Sequence, residues 1–521
     1  MSGKDKTVAV DSQPVVLDGC ALNIAQIVQI ARHSRRVELS PDALRKVHAA
    51  RACVESRVQS GETFYGINTG FGALANIKIP SDHLRELQVN LIRSHACGVG
   101  PRLETEVVRA IMALRLQTML RGNSGVREET LRQMEFFLNN NIHPVIPSQG
   151  SVGACGDLAP LAHLALALIG EGQVEWEGQT RKTAEVLAQL KRPALSPEAK
   201  EGLSLINGTQ VMTAVGVLAL ATAAHLLCTA DITLAMSLDA TKGTATAFRE
   251  EIQNVRPHSG QQRAAANMRK VLADDGLRLS HAGCKKVQDP YSFRCAPQVH
   301  GAARNAYAHV LETLLVETNS STDNPLVFPE SNEILSGGNF HGEPVAMVLD
   351  YLAIAMAEVA SISERRIDKL VNPHMSGLPP FLTKESGLNS GFMIPHVVAA
   401  ALVSENKVHC HPASVDTIPT SAEQEDHVSM GMTSALKMQR VLNNTARVLA
   451  IESLAAAQGL EFHKPLQGGL GVRAAYDFVR QCSEKLDQDR ALADDIELMA
   501  EAIFTGTFRR HVEAVVGELD V

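Results

Sequence analysis

The chain has 521 residues, of which 45% are hydrophobic, and its 49 Lys and Arg against 57 Asp and Glu give a net charge of −8. This length predicts two packed regions or one elongated bundle, and an acidic balance without a basic stripe argues against nucleic acid as a partner. The nine cysteines are an odd number without a CxxC pair. We therefore interpret them as reduced thiols of a cytoplasmic protein.

The N-terminal stretch MSGKDKTVAVDSQPVV contains no apolar run that would predict a secretory signal. One uncharged stretch, residues 207–230, does reach the length of a membrane span. It is rich in Ala, Thr and Gly, carries His225 and lacks flanking aromatic or basic anchors. We predict that it is a helix buried on all sides inside a bundle, and we expect no membrane contact.

Helical periodicity dominates the rest of the chain, and strand signals are few and short. The sequence therefore predicts a mainly α protein, with a loop-rich N-terminal region over residues 1–205 and a long-helix region over residues 206–521. Apolar residues recur at helical spacing at Val107, Ile111 and Leu114, at Leu131, Met134 and Leu138, and at Leu352, Met356, Val359 and Ile362.

Generic cofactor motifs are weak in this chain. GFGALA at 70–75 and GLGVRA at 469–474 match a loose dinucleotide pattern, but neither opens a βαβ unit with a suitably spaced acidic residue. The tripeptide HCH at 409–411 has no second ligand pair at zinc-like spacing. We expect neither a nucleotide cofactor nor a metal.

The segment GSVGACGDLAP, residues 150–160, surrounds Cys155 with small residues. A backbone amide can attack the carbonyl two residues back only where the chain bends tightly, and glycine at position 156 removes the Cβ that would block the approach. Ring closure from Ala154 to Gly156 with loss of water gives an imidazolone. Elimination of the Cys155 sulfur then creates an exocyclic methylene, which is an electrophile. Composition alone leaves open a glycine-rich turn with a buried cysteine.

A series of long motifs runs along the chain around this segment. They are YGINTGFG (65–72), NLIRSHACGVG (90–100), GSVGACGDLAPLAH (150–163), EGLSLINGTQ (201–210), KVQDPYSFRCAPQV (286–299), SGGNFHGEPVAM (336–347) and QEDHVSM (424–430). In these motifs and their order the chain resembles the histidine and phenylalanine ammonia-lyase family. The resemblance implies long antiparallel bundle helices, a small amino acid substrate and a homotetramer whose active sites are shared between subunits.

Members of this family usually read Ala-Ser-Gly where this chain reads Ala154-Cys155-Gly156, and they self-cyclise to 4-methylidene-imidazol-5-one (MIO). Thiolate is a better leaving group than hydroxide, so we expect MIO to form here with loss of one water and one hydrogen sulfide. The alternative is an uncyclised and inactive chain, because the surroundings must hold the strained geometry.

The resemblance also implies roles for individual residues. Tyr65 is the expected catalytic base, with its pKa lowered by nearby backbone amides. Arg294 is expected to bind the substrate carboxylate in bidentate fashion, with Tyr291 beside it as a further catalytic residue. The alternatives are an aromatic anchor for Tyr65 and a salt bridge for Arg294.

Three further residues resemble groups that hold the prosthetic group or the substrate. Asn207 and Gln288 match the polar residues of the family site, Asn207 toward MIO and Gln288 toward substrate. Phe340 matches the aromatic contact beside the electrophile. Buried structural amides are the alternative for Asn207 and Gln288.

Two positions bear on the substrate. His95 stands where phenylalanine-selective relatives have apolar residues, which leaves histidine and tyrosine open. Glu425 stands where histidine enzymes have a carboxylate, and a carboxylate can bind an imidazole N–H. The expected reaction is thus elimination of ammonia from L-histidine to trans-urocanate. The alternatives are a tyrosine or phenylalanine lyase, a 2,3-aminomutase, an ion pair for Glu425, or an inactive helical scaffold.

Overall fold

The computed structural model describes residues 13–60, 63–70, 72–281, 283 and 287–521. Most of the N-terminal stretch 1–16, together with Phe71 and Lys286 of two family motifs, lies outside these described residues. The chain divides into two compact units. Unit 1 comprises Met1–Leu218, Glu312–Leu349 and Ala413–Leu436, and unit 2 comprises Ala219–Leu311, Asp350–Pro412 and Lys437–Val521.

The described part of the chain is mainly α-helical, as the sequence predicted. The boundary predicted after residue 205 falls within unit 1, whose first segment continues to Leu218. Each of four long helices (α9, α14, α15 and α18 below) has residues in both units. The helices are α1 (Ile24–Arg32), α2 (Pro41–Ser60), α3 (Leu84–His95), α4 (Thr105–Leu120), α5 (Glu128–Asn139), α6 (Leu158–Leu168), α7 (Thr183–Gln189), α8 (Glu201–Ile206), α9 (Gln210–Ala240), α10 (Glu250–Asn254), α11 (Ser259–Val271), α12 (Gly276–Leu279), α13 (Tyr291–Arg294), α14 (Ala296–Thr318), α15 (Glu343–Val371), α16 (Pro373–Ser376), α17 (Met393–His409), α18 (Gly431–Glu461), α19 (Leu470–Cys482), α20 (Ala493–Phe504) and α21 (Thr507–Val516).

Strands are short and pair locally. They are β1 (Val15–Leu17), β2 (Val37–Leu39), β3 (Val99–Arg102), β4 (His143–Pro144), β5 (Pro147–Gln149), β6 (Gln173–Trp176), β7 (Gln179–Lys182), β8 (Leu326–Phe328) and β9 (Glu333–Leu335). β1 and β2 are parallel, while β3–β5, β4–β6–β7 and β8–β9 are antiparallel. The pair that matters for the site is β3 with β5, where Val99 lies opposite Gln149 at the entrance to the Cys155 segment.

The apolar stretch predicted at 207–230 lies at the start of α9, a 31-residue helix. Among the described residues, α9 and α15 are long and apolar enough to cross a membrane, and 83% and 67% of their most apolar windows are buried inside the chain. Burial of this extent is typical of core helices. The predicted bundle helix is therefore present, and it begins three residues after the first residue of the predicted stretch.

Packing in unit 1 surrounds the Cys155 segment. α4 is buried over nearly its whole length, including two charged side chains, Arg109 and Arg115. Ala154 packs with Val428 and Met430 in a small apolar cluster. The segment that carries Cys155 is thus held by a core helix layer and by the chain that leads into α18.

Candidate active site

The segment from Gly150 to Asp157 connects β5 to α6, and its glycines adopt backbone conformations that other residues rarely adopt. Gly153 and Gly156 both have φ of +71°, in the left-handed region. A Cβ on Gly156 would overlap the carbonyl oxygen of Gly208, and a Cβ on Gly153 would overlap the hydroxyl of Ser429. The predicted tight bend is therefore present, and it packs closely against the segments that carry Gly208 and Ser429.

Asp157 ties this segment to the first turn of α9. Its Oδ2 accepts hydrogen bonds from the backbone N–H groups of Val211 and Met212 at 3.0 and 2.9 Å, and its Oδ1 accepts one from the Ser151 hydroxyl at 2.9 Å. Burial raises the pKa of Asp157 to about 6, although these hydrogen bonds favour its charged form. A carboxylate at a helix N-terminus also interacts favourably with the helix dipole.

The side chain of Cys155 faces Glu425. Its thiol donates a hydrogen bond to Glu425 Oε1 at 3.1 Å, and the hydroxyl of Thr420 donates one to Glu425 Oε2 at 2.7 Å. Burial and then the neighbouring carboxylate raise the pKa of the Cys155 thiol well above its ordinary value. The sulfur is therefore held as a thiol, beside a carboxylate whose second oxygen is fixed by Thr420.

Asn207 holds the backbone of the same segment. Its Nδ2 donates a hydrogen bond to the Cys155 carbonyl oxygen at 3.2 Å, and its Oδ1 is buried without a hydrogen-bond partner among the described residues. A bend with glycine on both sides of Ala154 and Cys155, a donor on the Cys155 carbonyl and an unused buried acceptor fit a prosthetic ring formed from residues 154–156.

Tyr65 belongs to the same group of residues. The N–H of Gly72 donates a hydrogen bond to its hydroxyl oxygen at 3.3 Å, which is the backbone contact expected from the sequence. Burial nevertheless raises the pKa of Tyr65, and the charge of Glu425 raises it further. The expectation of a lowered pKa was wrong for the encoded chain, because desolvation outweighs one amide hydrogen bond.

His95 and Phe340 also belong to unit 1. His95 is the last residue of α3, and its Nδ1 lies 2.9 Å from the Leu91 carbonyl oxygen. Its Nε2 forms no hydrogen bond among the described residues. Phe340 is half-buried in a turn, and the next residue, His341, places its Nε2 3.1 Å from the His427 carbonyl oxygen. The predicted roles of His95 and Phe340 stay predictions.

Gln288, Tyr291 and Arg294 belong to unit 2. The Arg294 guanidinium lies 4.5 Å from the centroid of the Tyr291 ring, and Tyr291 is 70% exposed. Gln288 and Arg294 line a cavity of about 820 Å³ within that unit, together with basic groups. The carboxylate of Asp289 also lines this cavity, and the basic groups outnumber it. The assignment of Gln288, Tyr291 and Arg294 to substrate stays a prediction. The basic groups are Lys242, Arg278 and His281.

The sequence profile of the aromatic amino acid lyase family matches residues 22–481. The chain belongs to this family. A histidine ammonia-lyase from Myxococcus xanthus is 51% identical over 493 residues, which cover 94% of this chain and 97% of that protein.

Solved structures agree with the family assignment. The structure of histidine ammonia-lyase from Trypanosoma cruzi is 44% identical with a TM-score of 0.89, and the match covers 96% of this chain and 95% of that one. Tyrosine aminomutase from Streptomyces globisporus is 38% identical with a TM-score of 0.93, and the match covers 98% of this chain and all of that one. These lyase and aminomutase relatives match over nearly the full length of the chain.

Sequence reasoning missed several residues that shape this aromatic amino acid lyase site. Ser151 and Asp157 lie inside the quoted motif, but nothing in the motif indicates that Asp157 reaches the start of α9. Thr420 lies outside every motif, and only the fold shows that it holds Glu425. Among the described residues no group of three or more His, Cys, Asp or Glu side chains is arranged to hold a metal ion.

Proposed function

We propose that this chain is a histidine ammonia-lyase, which eliminates ammonia from L-histidine to give trans-urocanate and ammonium. The observation that carries the proposal is the carboxylate of Glu425, which lies 3.1 Å from the Cys155 sulfur. A carboxylate at this point can accept a hydrogen bond from an imidazole N–H, whereas a phenyl ring offers no donor. The relatives named as histidine ammonia-lyases support the same substrate.

The proposal includes a prosthetic group made from the chain itself. The Gly156 nitrogen bonds to the Ala154 carbonyl carbon, and the Ala154 oxygen leaves as water with the amide hydrogens of Cys155 and Gly156. Loss of the Cys155 Cα hydrogen and its sulfur as hydrogen sulfide then gives the methylidene of MIO. Asn207 assists the second loss, because its hydrogen bond to the Cys155 carbonyl makes the adjacent Cα–H more acidic.

Once formed, MIO would supply an electrophile for the substrate amine and would make that amine a better leaving group. Tyr65, as phenolate, removes the β-proton, while Glu425 orients the imidazole. In the active site shared between subunits, we assign Arg294 to the substrate carboxylate, with Tyr291 and Gln288 beside it, and we assign His95 and Phe340 to the substrate pocket. Binding of the substrate carboxylate at one end and of the imidazole ring at the other directs the β-hydrogen toward Tyr65.

The proposed assembly is a homotetramer in the cytoplasm, with active sites shared between subunits and no membrane association. Exposed apolar residues support association, since contiguous exposed apolar surface marks interfaces. On α17, for example, Ile394, Val397 and Val408 are 58%, 55% and 72% exposed. Light scattering of the purified protein tests this assembly: a mass of four chains supports it, and a monomer contradicts it.

A substrate panel tests the activity. Purified protein is incubated with L-histidine, L-tyrosine or L-phenylalanine, and urocanate, coumarate and cinnamate are distinguished by their ultraviolet spectra while free ammonia is measured. We expect urocanate and ammonia in equal amounts from histidine. Faster coumarate or cinnamate formation would assign a tyrosine or phenylalanine lyase instead.

The similarity to tyrosine aminomutase gives the assay a second arm. A β-amino acid with little free ammonia would identify an aminomutase. No turnover of histidine together with no effect of borohydride, which reduces the electrophile, would identify an inactive scaffold.

A further inference from the structure

The turn from Asn207 to Thr209 lies between the Cys155 segment and a buried arginine. On one side, the carbonyl oxygen of Gly208 accepts a hydrogen bond from the Asp157 N–H at 2.8 Å and blocks the space where a Cβ on Gly156 would stand. On the same side, Asn207 donates to the Cys155 carbonyl. The position of this turn therefore sets the position of Cys155 and Gly156, the last two residues of the ring.

On the other side of the turn is the guanidinium of Arg115, which is fully buried on α4. Its Nη1 donates to Gln210 Oε1 at 2.5 Å, and its Nη2 donates to the Ser204 carbonyl oxygen. A Cβ on Gly208 would lie 2.5 Å from Nη1, so the guanidinium packs directly behind Gly208. Arg115 thus contacts the residues before and after the turn as well as its centre.

Gln210 extends this support. Its Nε2 donates to Thr118 Oγ1 at 2.9 Å and to Thr322 Oγ1 at 2.7 Å. The amide oxygen is the acceptor for Arg115, so the orientation of Gln210 is fixed at both ends. Burial lowers the pKa of Arg115 to about 10. This pKa is still well above neutral pH, so the guanidinium is charged there.

We propose that Arg115 is a positioning residue for ring closure: it holds Gly208 and Asn207 against residues 155 and 156 so that the Gly156 nitrogen can reach the Ala154 carbonyl carbon. This inference rests on the proposed function. Arg115 touches neither the reacting atoms nor the substrate, and it acts through the turn alone. Its removal lets the turn move back into the space behind Gly208, which relaxes the bend.

The chain offers a matched control on the same helix. Arg109 is also buried, and burial also lowers its pKa to about 10. Its guanidinium bonds to the Ile30 and Leu138 carbonyl oxygens and to Asn141, none of which belongs to the turn or to the Cys155 segment. Arg109→Lys and Arg115→Lys therefore remove comparable buried groups with different neighbours.

The test measures the mass of the peptide that contains residues 154–156 in the full-length variants, at intervals after purification, together with thermal unfolding. We expect R115K to form the ring about tenfold more slowly than wild type or worse, since lysine has one nitrogen where Arg115 uses two, one for Gln210 and one for Ser204. R109K should form it at the wild-type rate even if its unfolding temperature falls equally. If R115K does not fold, Thr322→Val replaces it in the test, because this substitution removes one hydrogen-bond partner of Gln210. T322V should also form the ring more slowly than wild type.

Ring formation at the wild-type rate in R115K, or in T322V where R115K does not fold, would overturn the inference. Equal slowing in R109K would also overturn it, because the effect would then follow overall stability. These results are distinct from a failure of the proposed function, in which the wild-type protein itself would carry no ring.

Discussion

The thiol of Cys155 and the carboxylate of Glu425, 270 positions apart in the chain, form a hydrogen bond of 3.1 Å. The side chain whose sulfur must be lost to make the electrophile thus lies against the side chain that is expected to select the substrate. Formation of the electrophile and recognition of the substrate therefore involve neighbouring side chains. Each process can be perturbed by a substitution at a single position.

Glu425→Gln tests substrate recognition. Replacing the carboxylate by an amide removes a hydrogen bond to a charged acceptor, and we expect kcat/KM for histidine to fall by about ten- to a hundredfold. Thr420→Val should cause a smaller loss, since it only releases Oε2. Glu423→Gln is the control, because Glu423 is exposed nearby and should leave kcat/KM unchanged. Unchanged histidine turnover in E425Q would argue against the proposed role.

Substitutions of Cys155 test the leaving group. Cys155→Ser retains a group that can leave as water, so we expect it to form the same electrophile and remain active. Cys155→Ala has no leaving group, and its kcat should fall by about a thousandfold or more, the scale seen when a covalent catalyst is removed. Steady-state rates with histidine check both expectations. Equal activity of C155A and wild type would exclude covalent catalysis at this position.

The pH profile tests Tyr65 as the base. Because burial raises the pKa of Tyr65 above its ordinary value, little phenolate is present at neutral pH, and kcat/KM should rise with pH. The charge of Glu425 contributes to this rise in pKa, so E425Q should move the rising limb to lower pH. Tyr65→Phe should lower kcat by about 10²- to 10⁴-fold without loss of the ring. An unshifted limb in E425Q would contradict the electrostatic coupling.

Asp157 gives a prediction about stability. Its pKa is about 6 in the folded chain against an ordinary 3.8, so the folded state binds the proton more tightly than the unfolded state. The stability contributed by this proton is present below pH 4 and is lost as pH rises through about 6, by about 3 kcal/mol in total. Urea unfolding of wild type and Asp157→Asn across this range should show their difference in free energy of unfolding falling by that amount. A pH-independent difference would refute the assignment.

The sequence predicted the helices whose apolar pattern is local. Leu352 and Met356 fall on α15 and Leu131 and Met134 on α5, because periodicity of one buried face is a property of the segment itself. The tight bend at Gly156 was also predictable, since glycine is required where a Cβ has no room.

The rest depended on contacts between distant segments. Two contacts have no signal in the local sequence pattern: the hydrogen bond from Thr420 to Glu425 and the packing of Arg115 behind Gly208. Both arise only when separate segments of the chain pack together. The pKa of Tyr65 was mispredicted for the same reason. The favourable amide contact is local, whereas the burial that outweighs it comes from the whole fold.

The most direct measurement is the mass of the proteolytic fragment that contains Ala154, Cys155 and Gly156 from purified wild-type protein. We predict a fragment lighter than its encoded mass by one water and one hydrogen sulfide, and reduction with borohydride should add hydrogen to that same fragment. A fragment with its full encoded mass and no reaction with borohydride would show an ordinary peptide at Cys155 and contradict the formation of MIO.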